Sequence, residues 1–243
     1  MNLTPATLKA FEQHVLTDFP NEACGFVIND EYVSVANTAE NPTQTFRISP
    51  SDHVKAEASG RIQAVLHSHP YDKFKASKWP HEWPTTMDMK SWMQGTVPWG
   101  ITATCGEGIS QLVWMDDSVI PPLEGREFIH GIHDCYSLIR DWFRINKGIT
   151  IPNYARGIDW WHQGENLYED NFANAGFERI DLDQIQVGDA ILMKAASDVA
   201  NHAAVVVGTN QILHHLFHRL SGTDTLSKWK RCIVCAVRYK GQE

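Results

Sequence analysis

The apolar positions change period along the chain, and the changes mark the elements. Thr4 and Pro5 supply a capping hydroxyl and a first-turn proline, after which Leu8, Phe11 and Val15 fall on one helical face. Cys24–Ile28 and Tyr32–Val35 predict strands around Asn29-Asp30, a pair suited to a tight hairpin. A helix is expected over Asp52–Ala58, and strands over Ile62–Leu66, Gly100–Cys105 and Gln111–Met115. Residues 115–128, MDDSVIPPLEGREF, break the pattern, because Pro121-Pro122 blocks regular structure between acidic residues and Gly125. Beyond the break, Asp134 caps a helix running to about Ile145, with Leu138, Ile139, Trp142 and Ile145 as its apolar face. A polar, aromatic stretch through Trp160-Trp161 precedes strands at Asp189–Met193, His202–Val207, Gln211–Phe217 and Arg231–Tyr239. Two domains result, 1–120 and 121–243. The first is an α/β or α+β mixture around one sheet, and the second has the α+β order of one helix followed by strands.

Composition sets limits on this picture. With 243 residues, 43% apolar and 21% charged, the chain can bury real cores and is not globally disordered. No apolar run approaches the roughly 20 residues that cross a bilayer. The start, MNLTPATLKAFEQHV, has no basic-then-apolar export signal, so the chain reads as a soluble protein made in a cytoplasm. The net charge of −8 divides evenly, −4 on residues 1–115 and −4 on 116–243, which argues against nucleic-acid binding. Five cysteines form an odd set with no disulfide framework. Cys232 and Cys235 have metal spacing, but RCIVCAVRY reads as a buried strand with no second such pair.

Two segments carry candidate chemistry. In Leu66-His67-Ser68-His69-Pro70, both imidazoles leave a strand end on one side, so both can reach one metal. A catalytic zinc takes three protein ligands and leaves a position for water. Asp88, in the first turn of a helix capped by Thr85 or Thr86, is a candidate third ligand. Glu22, ahead of an apolar strand, is a candidate proton carrier. Glu22, then His67-x-His69-Pro70, then Thr85-x-x-Asp88 resembles the JAMM (JAB/MPN) metalloproteases. The resemblance implies zinc held by His67, His69 and Asp88. It further implies Glu22 as general acid/base and Thr85 as the hydroxyl that steadies the tetrahedral intermediate. The gap from His69 to Asp88 is longer than usual in that family, and Thr85 stands where Ser is usual.

In the second unit, Cys135 follows Asp134 at a helix start, where the dipole and free N–H groups favour thiolate. His202 opens an apolar strand, and His214 and His215 lie on the next one. A two-residue turn at Thr209-Asn210 would put His202 and His215 on one face, whereas one bulged residue would substitute His214. Asp134-Cys135, Gly188-Asp189, Asn201-His202 and His214 resemble the NlpC-type papain-like peptidases, which cut bacterial cell-wall peptides. That resemblance covers roughly 126–240. It implies Cys135 as nucleophile, His202 as base and His214 as orienter, with His215 in reserve. Tyr136 departs from the family's usual Ser there. Trp160-Trp161 suits either a groove wall or packing.

The pairing of the two units is similar to tail tip assembly proteins of lambda-like phages (the K type). This likeness implies peptidoglycan peptides as target, other tail tip proteins as partners, and a place in the host cytoplasm during assembly and in the virion tail. A structural tail factor with relic sites, and a protease processing a tail protein, are the competing expectations.

Overall fold

The computed structural model describes residues 1–241. Among these, no helix is long and apolar enough to cross a membrane. The fold is a mixture of helices and sheets, α+β overall, and divides into two compact units with its main boundary between Ser118 and Val119.

In the first unit, α1 (Pro5–Asp18) starts at Thr4, whose side chain accepts the Thr7 N–H. Strands β1 (Cys24–Ile28) and β2 (Glu31–Val35) form a hairpin in which Ile28 pairs with Glu31. Asn29 and Asp30 both take positive φ (51° and 65°), as a two-residue turn of matching twist requires. Helix α2 (Pro50–Ser59) is capped by Ser49, and β3 (Ile62–Pro70) follows. In chain order come α3 (Thr86–Trp92), of which the residues through Met89 group with the second unit, then β4 (Trp99–Thr104) and β5 (Val113–Met115). The sheet order is β2-β1-β3-β4-β5, antiparallel except for β3 with β4. Phe11 and Val15 of α1 join Ala23, Val27, Ala64 and Leu66 on one face. Ala56 of α2 joins Phe26, Ile28 and Val65 on the other.

In the second unit, α4 (Cys135–Lys147) ends where Gly148 adopts a left-handed conformation and donates its N–H to the Phe143 carbonyl. Its buried face is Leu138, Ile139, Trp142 and Phe143. Ile145 is 55% exposed, so the expected face turns by one position, and Phe143 takes the place given to Ile145. Each such side chain contributes roughly 1.5–3 kcal/mol on burial. The short helix α5 (Leu167–Asn171) precedes a six-stranded antiparallel sheet. Its strands are β6 (Phe177–Ile180), β7 (Ala190–Met193), β8 (His202–Gly208), β9 (Gln211–His214), β10 (Gly222–Thr225) and β11 (Ile233–Tyr239), in the order β10-β9-β8-β7-β11-β6. Helix α4 covers the face bearing Leu192, Ala203, Val205 and Leu213. Ile191, Met193, Ala204, Val206 and Ile212 face the opposite way.

Two strands, β6 and β10, have no counterpart in the sequence expectation, and β9 stops at His214 rather than Phe217. Both missed strands are four residues long, FERI and GTDT, the first half polar and the second without an apolar side chain, too short for a period to show. All five cysteines are free thiols, and Cys235 is buried in β11.

Candidate active site

The thiol site is built from the start of α4, the start of β8 and the end of β9. Asp134 is 3% exposed and accepts the Ser137 N–H at 2.9 Å, which fixes the first turn of α4. Its other oxygen accepts the Gly131 N–H at 2.8 Å. Arg156 closes on both oxygens, Nε to Oδ2 at 2.6 Å and Nη2 to Oδ1 at 3.0 Å. The same guanidinium donates to Ser137 Oγ and to the carbonyls of Gly131 and Tyr154, and lies 5.2 Å from the Tyr136 ring centroid. Burial alone would raise the Asp134 pKa, but Arg156 outweighs it and holds the carboxyl well below the usual range. A buried ion pair with every lone pair used thus fixes the residue that precedes Cys135.

Cys135 is half-buried. Its sulfur lies 3.1 Å from Tyr168 Oη and takes a hydrogen bond from the Ala203 N–H, one residue past His202. Among the described residues, the sulfur's hydrogen bonds run to these two groups rather than to His202. The helix start was expected to favour thiolate. Instead, burial and the Asp134 charge push the thiol up to about 11, against the opposing pull of Tyr168, Ala203 and Arg156. The dipole of one helix end is a small effect beside desolvation of a sulfur anion.

The register of β8 and β9 decides which second imidazole meets His202. Gly208 pairs with Gln211, but Val206 pairs with Ile212 and Ala204 with His214, so Val207 is bulged. His202 Nε2 and His214 Nδ1 lie 3.0 Å apart, leaving Nδ1 of His202 for other work. The ring centroid of Trp229 is 5.7 Å from His202 and 5.0 Å from His214. Trp229 Nε1 is held by Asp224 at 3.1 Å. Burial, then His214 and His215, push His202 down to about 3, so it is a neutral imidazole able to accept a proton. His215 turns to the other side, fully buried, with Phe128 edge-on at 5.1 Å. Asp189, of the Gly188-Asp189 mark, pairs with Arg238 at 2.8 Å and 2.9 Å and serves the sheet. Trp160 is a buried packing residue, 5.6 Å from the half-buried Trp161 and 6.1 Å from Tyr168.

Sequence reasoning missed Arg156, Tyr168 and Trp229. Arg156 is a lone cation in an irregular stretch, and nothing in its neighbours signals burial. Tyr168 sits on a helix of five residues, too short for periodicity to reveal.

The other candidate set centres on β3. His67 Nε2 and His69 Nε2 lie 3.1 Å apart. His69 Nδ1 donates to the His81 carbonyl at 2.7 Å, which turns the Nε2 lone pair inward. His67, His69 and Asp88 each offer a ligand atom, all within 4.8 Å of one another. Two zinc–nitrogen bonds of about 2.05 Å at a tetrahedral angle would set the nitrogens about 3.3 Å apart, so the imidazole pair has the spacing a metal needs. Glu22 is buried just before β1, whose Cys24 pairs with His67, so it lies at the same end of the sheet. Thr85 Oγ1 donates to Asp88 Oδ2 at 2.7 Å and accepts the Asp88 N–H at 3.2 Å. That hydroxyl therefore caps α3 and orients Asp88.

Comparison with known proteins matches residues 125–238 to the NlpC/P60 family. The chain is 36% identical to tail tip assembly protein K of Escherichia phage lambda over 185 residues, covering 76% of this chain and 85% of that one. It is 31% identical to tail tip assembly protein K of Escherichia phage N15 over 241 residues, covering 96% and 94%. Among solved structures, it is 21% identical to a protein of the NLP/P60 family from Staphylococcus aureus subsp. aureus Mu50, with a TM-score of 0.37, covering 49% of this chain and 38% of the other.

Proposed function

The chain belongs to the tail tip assembly protein K family and carries an NlpC/P60 domain, and from that footing we propose that its second unit is a cysteine peptidase acting on bacterial wall peptides. The observation that carries the reading is the His202–His214 pair at 3.0 Å, with the Ala203 N–H, one residue past His202, bonded to the Cys135 sulfur. In this reading His202 takes the thiol proton through Nδ1 as the sulfur attacks a peptide carbonyl. His214 holds the ring in the tautomer that allows it. The Cys135 backbone N–H, in the first turn of α4, donates to the developing oxyanion. His202 returns the proton to the leaving amine, and then activates the water that cleaves the thioester. Because thiol and imidazole both rest neutral, the proton moves during attack rather than beforehand. Wild-type and Cys135→Ala proteins incubated with peptidoglycan test this directly. Release of new amino groups by the wild type alone is expected, and equal release by both would end the cysteine assignment.

At the end of β3 we propose a JAMM-like zinc site. His67, His69 and Asp88 would hold the ion, which when bound supplies a water of lowered pKa. Thr85 keeps the Asp88 carboxylate oriented, and Glu22 is the group placed to carry a proton. The fit of donor types and the 3.1 Å spacing support this reading. The protein would work in the host cytoplasm as tails assemble and at the tail tip, among other tail proteins.

A further inference from the structure

Tyr168 has no place in the reading drawn from the sequence, yet its hydroxyl lies within hydrogen-bond distance of the Cys135 sulfur, at 3.1 Å. It reaches the thiol from a separate element, α5, 33 residues downstream. We infer that Tyr168 is a catalytic hydroxyl of the thiol site, donating its O–H to the Cys135 sulfur as the thiol proton leaves. The inference rests on the peptidase reading and deepens it.

The argument is one of proton accounting around a single atom pair. While the thiol keeps its proton, either group can donate. Once that proton has moved to an imidazole, the only hydrogen left between oxygen and sulfur is the phenolic one. The hydrogen bond must then run from Tyr168 to the thiolate, and a bond to an ion is about twice as strong as one between neutral groups. Tyr168 stays protonated in this role, because its surroundings penalise a phenolate: it is buried beside Cys135 and Asp134, with only Arg156 favouring the anion. The need for such a donor is visible in the same surroundings. The sulfur sits next to a buried carboxylate, Asp134, and the Arg156 charge is already engaged by that carboxylate. The anion formed on attack thus has two local donors, the Ala203 N–H and the Tyr168 hydroxyl. The ring is held in position by edge contacts with Tyr136 and Trp160, each at 6.1 Å. These contacts involve the ring faces and edges, so Tyr168→Phe removes the donor and leaves the packing.

The test follows alkylation of full-length protein by iodoacetamide between pH 7 and 9, with the Cys135-containing peptide quantified by mass spectrometry so that the other four cysteines do not count. Tyr168→Phe should raise the thiol pKa by about one unit, a tenfold loss of thiolate, equivalent to about 1.4 kcal/mol. A more basic thiolate is itself about threefold more nucleophilic, so the net rate should fall about threefold at every pH in this range. A Tyr168→Phe profile that superimposes on the wild type overturns the inference. So does a faster rate throughout, which would make the ring a mere shield over the sulfur. Circular dichroism of both proteins confirms that the fold is shared. Wild-type and Cys135→Ala proteins run in parallel on peptidoglycan. If these two cleave equally the peptidase reading fails, and if they differ while Tyr168→Phe matches wild type in alkylation only the tyrosine inference fails.

Discussion

The Asp134–Arg156 pair offers the sharpest test of how the site is held. Arg156→Met removes a buried guanidinium and leaves the Asp134 carboxylate, 3% exposed, with only the Gly131 and Ser137 N–H groups. Breaking a buried pair in this way costs about 3–5 kcal/mol. That is a large share of the roughly 5–15 kcal/mol that stabilises a typical domain. Asp134→Asn strands the cation instead and should cost a similar amount. The double variant Asp134→Asn/Arg156→Met has no buried charge, so its cost should fall well short of the sum, by about 2–3 kcal/mol. Urea unfolding of the four proteins at pH 7.5, followed by tryptophan fluorescence, measures the cycle. The acid side supplies a second check. In the wild type Arg156 lowers the Asp134 pKa below its unfolded value, so the stabilisation is present above the unfolded value and lost as pH falls through the folded one. In Arg156→Met burial dominates and the carboxyl pKa rises, so protonation relieves the strain. The gap between wild type and Arg156→Met should therefore narrow between pH 7.5 and 4.5. Additive single costs, each below about 1 kcal/mol, together with a gap that stays constant, would refute the account of a desolvated, structure-setting ion pair.

Other consequences can be measured independently. His202 and His215 are pushed by burial to about 3 and about 4, below the unfolded value near 6.5, so stability is full above 6.5 and falls as pH drops towards the folded values. At pH 5.5 proton uptake favours the unfolded chain by about 1.4 kcal/mol per imidazole, so the pair should cost about 3 kcal/mol relative to pH 7.5; burial lowers His130, His133 and His214 as well, so His215→Leu should remove only its own share of about 1.4 kcal/mol, and a flat wild-type profile would contradict the neutral assignment. Removal of the orienting ring in His214→Ala should lower wall-peptide cleavage at least about tenfold, with partial recovery in His214→Asn, read as kcat rather than KM. Metal analysis of purified protein should find zinc at about one ion per chain, and close to none in His67→Ala/His69→Ala, while peptidoglycan cleavage by the second unit is unchanged.

The way the sequence does and does not announce this site follows from which interactions are local. Capping is local, so Thr4, Ser49 and Asp134 can be read from neighbours in the chain, and the Asn29-Asp30 hairpin declares its own register. The His202 partner is set by a single bulged residue, Val207, whose neighbours Val205 and Val206 are chemically the same. Periodicity offered His214 and His215 equally, because a one-residue slip exchanges the two faces of a strand without altering its composition. The groups around the thiol lie further from any local signal. Asp134 and Arg156 are 22 residues apart, and Tyr168 comes 33 after the thiol it touches. Their roles depend on burial, which turns an ordinary arginine into the fixed counter-ion of the residue before Cys135. The same burial reverses the expected thiol chemistry. A helix end favours an anion by about 1 kcal/mol, whereas enclosing sulfur beside Asp134 moves its pKa from 9.0 to about 11, on the order of 3 kcal/mol in the other direction. In the proposed peptidase reading Cys135 is the nucleophile, and this environment would let its proton leave only as the bond to substrate forms.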